Sequence, residues 1–566
     1  MMMASKDQFI RVTRSPIFRA CAAFGLLQLA YVVIGISNLG FVRDDWMHYL
    51  DMRRLFESGL GNAFEQLVTN QWIGGHELRI FFGAFLTHLF ISVLPGAQVI
   101  AYLVLLLMQV TASCVAAYLF FKFTGRLWIA LALGVLLTFG PSISQPAIWV
   151  NNLFFVQPWF FLCLTSLALI KFRNHKYLWV VVVTVLGTCA VFSGEAFIPA
   201  TLIVLIVGGI WKGRAGKGLL HRLLCLAPVA TVMILLAVYS TWVVEKPQDS
   251  HLDFGNLKNF GAYLQGALQQ TKDIWAYGSE YYGHNSIWFT GAWLVILILA
   301  IAAICVAVFS PRANGPAQQQ QAIVKFVVLM CLLFLSTLAP MAVGVVTGSR
   351  PGPDLRYLYA PSIFAVIVFM SLVALIIETS PFTFVVKEVI AVICIYAFGL
   401  TTYNIMIVWD YQRSVDAMIW KQIDAKLVPG TKAIVTFNPN HMYLMAPYRS
   451  NAVSDFQADW GVGGRIMWND PSRLTFGVYR DAQVSEPGGV SMRGYYGDDA
   501  CKLENVAGDS IIYLTYDYGD EFSDLKGAPL LVTNDFAEYQ RSREAILSKY
   551  PESAKWTIPN SLRLCP

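Results

Sequence analysis

Runs of roughly 18 to 25 apolar residues recur along most of this chain up to about residue 410, and no other feature constrains its fold as strongly. Inside a bilayer every backbone polar group must be satisfied internally, so such runs fold as membrane-crossing helices. Composition agrees: of 566 residues 56% are hydrophobic and 14% charged, with a mean hydropathy of +0.54. A soluble chain of this length would carry about 25% charge to cover its surface. The expectation is an α-helical polytopic membrane protein.

Eleven spans are expected, near 19–41, 97–121, 127–145, 153–171, 177–193, 197–211, 219–244, 289–310, 322–345, 357–378 and 383–409. The first follows Lys6, Arg11, Arg14 and Arg19 and lacks a small-residue cleavage site, so it reads as a retained span. The apolar segment Arg79 to Leu94 is brief and ends at Pro95-Gly96, which favours an interfacial or re-entrant helix.

Charge sets the orientation. With the N-terminus cytosolic, the even connections carry Lys122, Arg126, Lys171, Arg173, Lys176, Lys212, Arg214, Lys217, Arg222 and Arg312, and almost no acids. The odd connections carry Asp44, Asp45, Asp51, Glu57, Glu65, Glu77, Glu195, Glu245, Asp249, Asp253, Asp273, Glu280 and Asp354. The excess of Lys and Arg in short cytosolic loops is the expected bias, and the inverted arrangement violates it at nearly every loop. The C-terminus is then extracytoplasmic. The net charge of +5 is accounted for by the inner loops and implies no nucleic-acid partner.

Two domains follow: a membrane part, 1–410, with outer loops 42–96 and 245–288, and a soluble extracytoplasmic part, 411–566, of α/β or α+β type. In the second part DYQRSVDAMIWKQIDAKLVPG reads as an amphipathic helix closed by Pro-Gly. TKAIVTF, RLTFGVY, SIIYLTY and PLLVTN read as strands, and EYQRSREAILSKY as a helix. Eight cysteines fall in expected spans as small apolar residues; Cys501 and Cys565 lie in the soluble part, where an oxidising compartment allows a disulfide or two free thiols. No internal repeat supports a transporter of duplicated halves.

The polar oddities gather on the outer side. Asp44 and Asp45 leave the first span in FVRDDWMHYLDMRR, Asn151 and Asn152 sit at the turn before 153–171, and Glu195 at the turn in SGEAFIP. Arg350, Asp354, Arg356 and Tyr357 precede the tenth span in SRPGPDLRYLYAP. Adjacent carboxylates repel one another, and a carboxylate beside a bilayer is costly unless solvated or paired. A carboxylate accepts a proton from an attacking hydroxyl, and arginine forks hold phosphate oxygens. Together they suit displacement of a phosphate leaving group by an alcohol. Plainer readings stand beside this one: the aspartates as a helix cap, Arg356 as an interfacial anchor, Glu195 as a solvated turn residue, and the asparagines as turn caps.

The pattern resembles the GT-C glycosyltransferases, multi-span enzymes that use lipid-phosphate sugars. RDDW matches their acidic pair in the first outer loop, and DWMHYLDMRRLFESG their juxtamembrane helices. SGEAFIP resembles the Lys-Glu turn of several branches, with Ser-Gly in place of the basic neighbour, and RYLYAP an Arg-Tyr-x-x-x-Pro span start. The architectural likeness covers 20–410, the motifs only four short patches.

The resemblance implies an inverting transfer of a monosaccharide from a polyprenyl-phosphate donor to a glycan, lipid or protein acceptor, at the periplasmic face of a bacterial inner membrane. Asp45 would be the general base and Asp44 its partner, or the reverse, with a divalent metal (Mg or Mn) at the pair in some members. Arg356 and Arg350 would hold the donor phosphate, Tyr357 would line the lipid groove, and Glu195, His48, Arg43, Asn151 and Asn152 would be accessory cavity residues. The alternatives are an oligosaccharide ligase or polymerase with a lipid pyrophosphate donor, and a lipid or solute transporter.

Overall fold

The structure, a computed structural model, describes residues 41, 44–69, 82–125, 127–139, 150, 153–172, 174, 176–213, 219–239, 316–343, 359–379, 416–437, 459–470, 477–479, 482–485, 489–493, 503–507, 510–516 and 530–549. The described chain is mostly helical and carries a few strands. Eight of the eleven expected apolar spans coincide with helices, and those near 19–41, 289–310 and 383–409 lie outside the described residues. Three of the described helices are long and apolar enough to cross a membrane, at Ala97–Thr124, Leu153–Lys171 and His221–Val238.

The described chain forms two compact units. Among the described residues the helical unit starts within α1 (Asp44–Glu57), whose residues from Met52 onward belong to it. It continues with α2 (Leu60–Thr69), α3 (Phe82–Ser92), α4 (Ala97–Thr124), α5 (Leu127–Phe139), α6 (Leu153–Lys171) and α7 (Lys176–Val191). A single turn of 3-10 helix at Glu195–Phe197 leads into α8 (Ile198–Gly213), followed by α9 (Leu219–Val238), α10 (Pro316–Val343) and α11 (Tyr359–Thr379). The 11 residues of α3 rise about 16 Å, far short of a hydrocarbon core of about 30 Å.

One core joins α4, α5, α6, α8, α10 and α11 through Phe120, Leu133, Val156, Trp159, Ile363 and Phe364 among others. A second joins α6 to α7, α8 and α9 around Trp179, Val183, Leu205 and Val232. Exposed apolar side chains such as Leu103, Leu107, Val181, Val185, Ile234 and Leu335 lie outside these cores. A helix apolar both inward and outward is what a lipid surround selects. At Gly209 a Cβ would lie 2.6 Å from the Cys225 carbonyl oxygen, so α8 and α9 meet backbone to backbone there.

The other unit contains Phe41, the first eight residues of α1, Asp44–Asp51, and the described residues from 416 onward. Residues 416–426 form α12, followed by β1 (Ala433–Phe437), α13 (Asp459–Asn469) and β2 (Gly477–Tyr479). Then come β3 (Ala482–Ser485), β4 (Gly489–Arg493), β5 (Leu503–Ala507), β6 (Ile511–Tyr516), β7 (Leu530–Thr533) and α14 (Phe536–Lys549). The sheet runs β2-β1-β6-β7, with β1 parallel to both β2 and β6 and β7 antiparallel at the edge; β3-β4-β5 form a separate antiparallel meander.

The period-2 alternation of the strands builds a three-layer α/β unit. Ile434, Ile512, Leu514 and Val532 face Ile419, Trp420 and Ile423 of α12, Val462 and Ile466 of α13, and Leu50 of α1. Ala433, Val435, Ile511 and Tyr513 face Tyr539 and Ile546 of α14. Asp535 caps α14 by accepting from the Ala537 and Glu538 amides at 2.8 and 3.4 Å, ending the loop after β7.

The strands expected at 431–437, 473–479, 510–516 and 529–534 appear as β1, β2, β6 and β7. Sequence reasoning missed α13 and the meander. Gly461, Gly463 and Gly464 interrupt α13 and each costs about 1 kcal/mol relative to alanine, so the stretch reads locally as a loop.

Candidate functional site

The two units each carry part of the candidate residue set. In the helical unit the starts of α6, α8 and α11 meet. Phe197 of the 3-10 turn lies 6.1 Å from Tyr359 and 6.0 Å from Trp159, and Phe155 lies 6.2 Å from Tyr359. Tyr359 opens α11 two residues after Tyr357, and its hydroxyl is hydrogen-bonded to the Gln109 side chain of α4. The Gln109 amide in turn donates to the Leu137 carbonyl near the end of α5 at 2.8 Å. Both polar side chains are wholly buried, so this chain of bonds fixes where α11 starts.

The turn at Glu195 docks onto a defect in α6. Pro158 has no amide hydrogen to donate to the Phe154 carbonyl one turn earlier. Gly194 sits against that carbonyl so closely that a Cβ there would lie 2.1 Å from the Phe154 oxygen. The preceding residue is held as firmly. Ser193 Oγ donates to the Cys189 carbonyl at 2.6 Å and accepts from Gln157 Nε2 at 3.1 Å. Gln157 Nε2 also donates to the Gly83 carbonyl of α3 at 3.0 Å, and the Gly83 amide donates to the Phe192 carbonyl at 2.6 Å. A side chain at Gly83 would meet Ser193 Oγ at 2.7 Å. The brief apolar helix α3 is thereby pinned to the turn that carries Glu195. Among the described residues Gln157 Oε1 is buried without a hydrogen-bond partner.

The far ends of these helices are cationic. Lys122 at the end of α4 and Lys171 at the end of α6 both lie 5.5 Å from the Tyr118 ring. Lys212 at the end of α8 lies 4.7 Å from the Trp179 ring, and Trp179 Nε1 donates to the Leu169 carbonyl of α6. Phe155 and Lys171 are about 24 Å apart along α6, so the cations and the Glu195 turn occupy opposite ends of the unit.

In the other unit, α1 begins at Asp44, so Asp44 and Asp45 are both first-turn positions, where the helix dipole favours negative charge. Asp45 is fully buried and His48 nearly so, at 9% exposure. Burial pulls the His48 imidazole from 6.5 down to about 3, so it is neutral at physiological pH. Phe41 stacks on Tyr49 with centroids 4.2 Å apart, and its edge contacts reach Trp46 at 5.4 Å and Trp468 of α13 at 5.5 Å. The Arg465 guanidinium lies 4.0 Å from the Trp420 ring and 5.6 Å from the Trp46 ring; such contacts contribute about 0.5–2 kcal/mol, more as the rings are desolvated. Its ion pair with Asp424, at 3.9 Å and largely exposed, adds little.

Glu195 and Asp44 are placed in their backbone elements, and Asp45 and His48 share one turn of α1. Arg43, Asn151, Asn152, Arg350, Arg356, Tyr357, Cys501 and Cys565 lie outside the described residues. Gln157, Gly194 and Gly464 are structural partners that sequence reasoning missed; Pro158 inside an apolar run was the one local signal for the first two.

Among the described residues no three His, Cys, Asp or Glu side chains converge as a metal site. The acidic pair at which the GT-C resemblance implies a divalent ion in some members is only half described, since the Asp44 side chain lies outside the described residues. Compared with family models and with curated proteins, the chain matches none.

Proposed function

We propose that this protein is a membrane glycosyltransferase of GT-C type, moving a monosaccharide from a polyprenyl-phosphate donor to a glycan, lipid or protein acceptor. In this reading eleven spans place the N-terminus in the cytosol, and the Glu195 turn and the 406–566 unit on the outer side of a bacterial inner membrane. One observation carries it. The turn bearing Glu195, the start of α6 after Asn151 and Asn152, and the start of α11 after Arg356 and Tyr357 meet at one end of the helical unit, with Lys122, Lys171 and Lys212 at the other. Cations gathered at one end fit the charge bias of cytosolic loops, and leave the polar candidates together at the opposite end, where chemistry on a lipid-borne substrate would take place.

Asp45 acts as general base toward the acceptor hydroxyl, with Asp44 beside it. The hydroxyl oxygen attacks the anomeric carbon as the bond to the phosphate oxygen breaks, inverting the configuration, and the proton passes to the carboxylate. Arg350 and Arg356 take up the charge on the departing phosphate, Tyr357 lines the path of the lipid, and Glu195 is a second acid. Because Asp45 has no exposed surface in this structure, the acceptor reaches it only after local opening of its surroundings.

The test is transfer by purified protein in detergent, against a panel of polyprenyl-phosphate sugars, for wild type, Asp45→Asn and Asp44→Asn. Turnover by wild type, with a loss of about 100-fold or more in a folded Asp45→Asn protein, is expected. Transfer from lipid pyrophosphate donors alone would replace this reading with a ligase. Absence of any transfer, with movement of lipid in sealed vesicles, would replace it with a transporter.

A further inference from the structure

The acidic pair is carried by a helix whose first eight residues are part of the C-terminal unit. Leu50, with Met47 packed alongside, enters the same core as Ile419, Ile423, Val462 and Ile466. Two neighbouring residues of α13 make the seat. At Gly464 a Cβ would fall 2.7 Å from the Met47 amide nitrogen and 3.0 Å from the Trp46 carbonyl carbon, so α13 lies directly against the α1 backbone. The next residue, Arg465, reaches the rings of Trp46 and Trp420, joining α1 to α12. Gly464 limits how closely α1 approaches, and Arg465 with Trp468 restrains its rotation through Trp46 and Phe41. Asp45 directly precedes the two residues so held.

We infer that Gly464 and Arg465 are positioning residues for Asp45, and that the C-terminal unit sets the geometry of the acidic pair. This rests on the glycosyl-transfer reading, and it differs from a C-terminal unit that only binds acceptor. An acceptor-binding unit governs KM; a unit that holds the base governs kcat.

The experiment uses the full chain in detergent and compares wild type, Gly464→Ala, Gly464→Leu, Arg465→Gln, Arg465→Lys and Asp45→Asn. Steady-state transfer is measured from the polyprenyl-phosphate sugar that wild type turns over, together with thermal unfolding and amide hydrogen exchange over residues 44–51. Gly464→Ala and Arg465→Gln are expected to lower kcat about 10- to 100-fold at unchanged donor KM, since small misplacements of a catalytic group cost that much. Exchange over 44–51 is expected to rise in both, and Arg465→Lys to recover part of the loss.

Folded Gly464→Leu protein with wild-type kcat and wild-type exchange over 44–51 would overturn the inference, as would a change confined to acceptor KM. Failure of the underlying reading has a separate signature. Asp45→Asn working at the wild-type rate, or no donor turned over by wild type, removes the base that the inference needs and overturns it by that arm.

Discussion

The Glu195 turn and the start of the Asp45 helix show different described contacts. Hydrogen bonds and carbonyl contacts fix the turn: Gln157 bridges Ser193 and Gly83, Ser193 reaches back to Cys189, and Gly194 rests on the Phe154 carbonyl, four residues before Pro158. Rings and aliphatic packing fix the helix: Phe41, Trp46 and Tyr49 against Trp468 and Arg465, and Leu50 in the core of an α/β unit. The contrast follows from the surroundings. Among apolar helices burial of carbon barely discriminates one arrangement from another, so polar satisfaction selects the geometry. In the α/β unit apolar burial between sheet and helices selects it. A glycine makes the close approach possible in both places.

The comparison breaks most visibly at Gly194. A Cβ at that position overlaps the Phe154 oxygen, so Gly194→Ala is expected to destabilise the helical unit by about 3 kcal/mol, read as a lowered thermal midpoint in detergent. Gln157→Leu comes next. It removes both amide donations to Ser193 and Gly83 and is expected to cost about 2 kcal/mol in the same measurement. An unchanged midpoint would show that the turn is held by packing after all.

The C-terminal unit is expected to respond to acid instead. His48 is neutral in the fold down to about pH 3, whereas the unfolded imidazole takes up a proton near 6.5. The unfolded state therefore binds more protons between those values, and stability falls as pH drops from 6.5 towards 3, by up to about 1.4 kcal/mol per unit. Tryptophan-detected unfolding at stepped pH measures this, and His48→Gln is expected to flatten the slope. The smallest effect is expected at Tyr513. Burial raises its hydroxyl to about 12, and among the described residues that hydroxyl has no hydrogen-bond partner. Tyr513→Phe is thus expected to leave stability unchanged or raise it by less than about 1 kcal/mol in the same unfolding measurement.

What could be read from local sequence was read where one period ruled a whole segment. The apolar run 153–171 gave the bounds of α6, and the alternation in SIIYLTY gave β6. Local signals failed at α13, where three glycines contradict a helix that is stabilised only by what it packs against. They also could not pair Gly83 with Gln157, 74 residues apart, because nothing in either segment names the other.

By itself the sequence determined an apolar helical chain with cations in one set of loops and acids in the other, because periodicity and charge act through neighbours in the chain. It determined, too, that Asp44 and Asp45 stand together. Only the tertiary structure decided that the first turns of their helix belong with residues beyond 416, and that the Glu195 turn rests on the break at Pro158. Those are contacts between segments far apart in the chain, and their geometry depends on whether a backbone is close enough to exclude a methyl group.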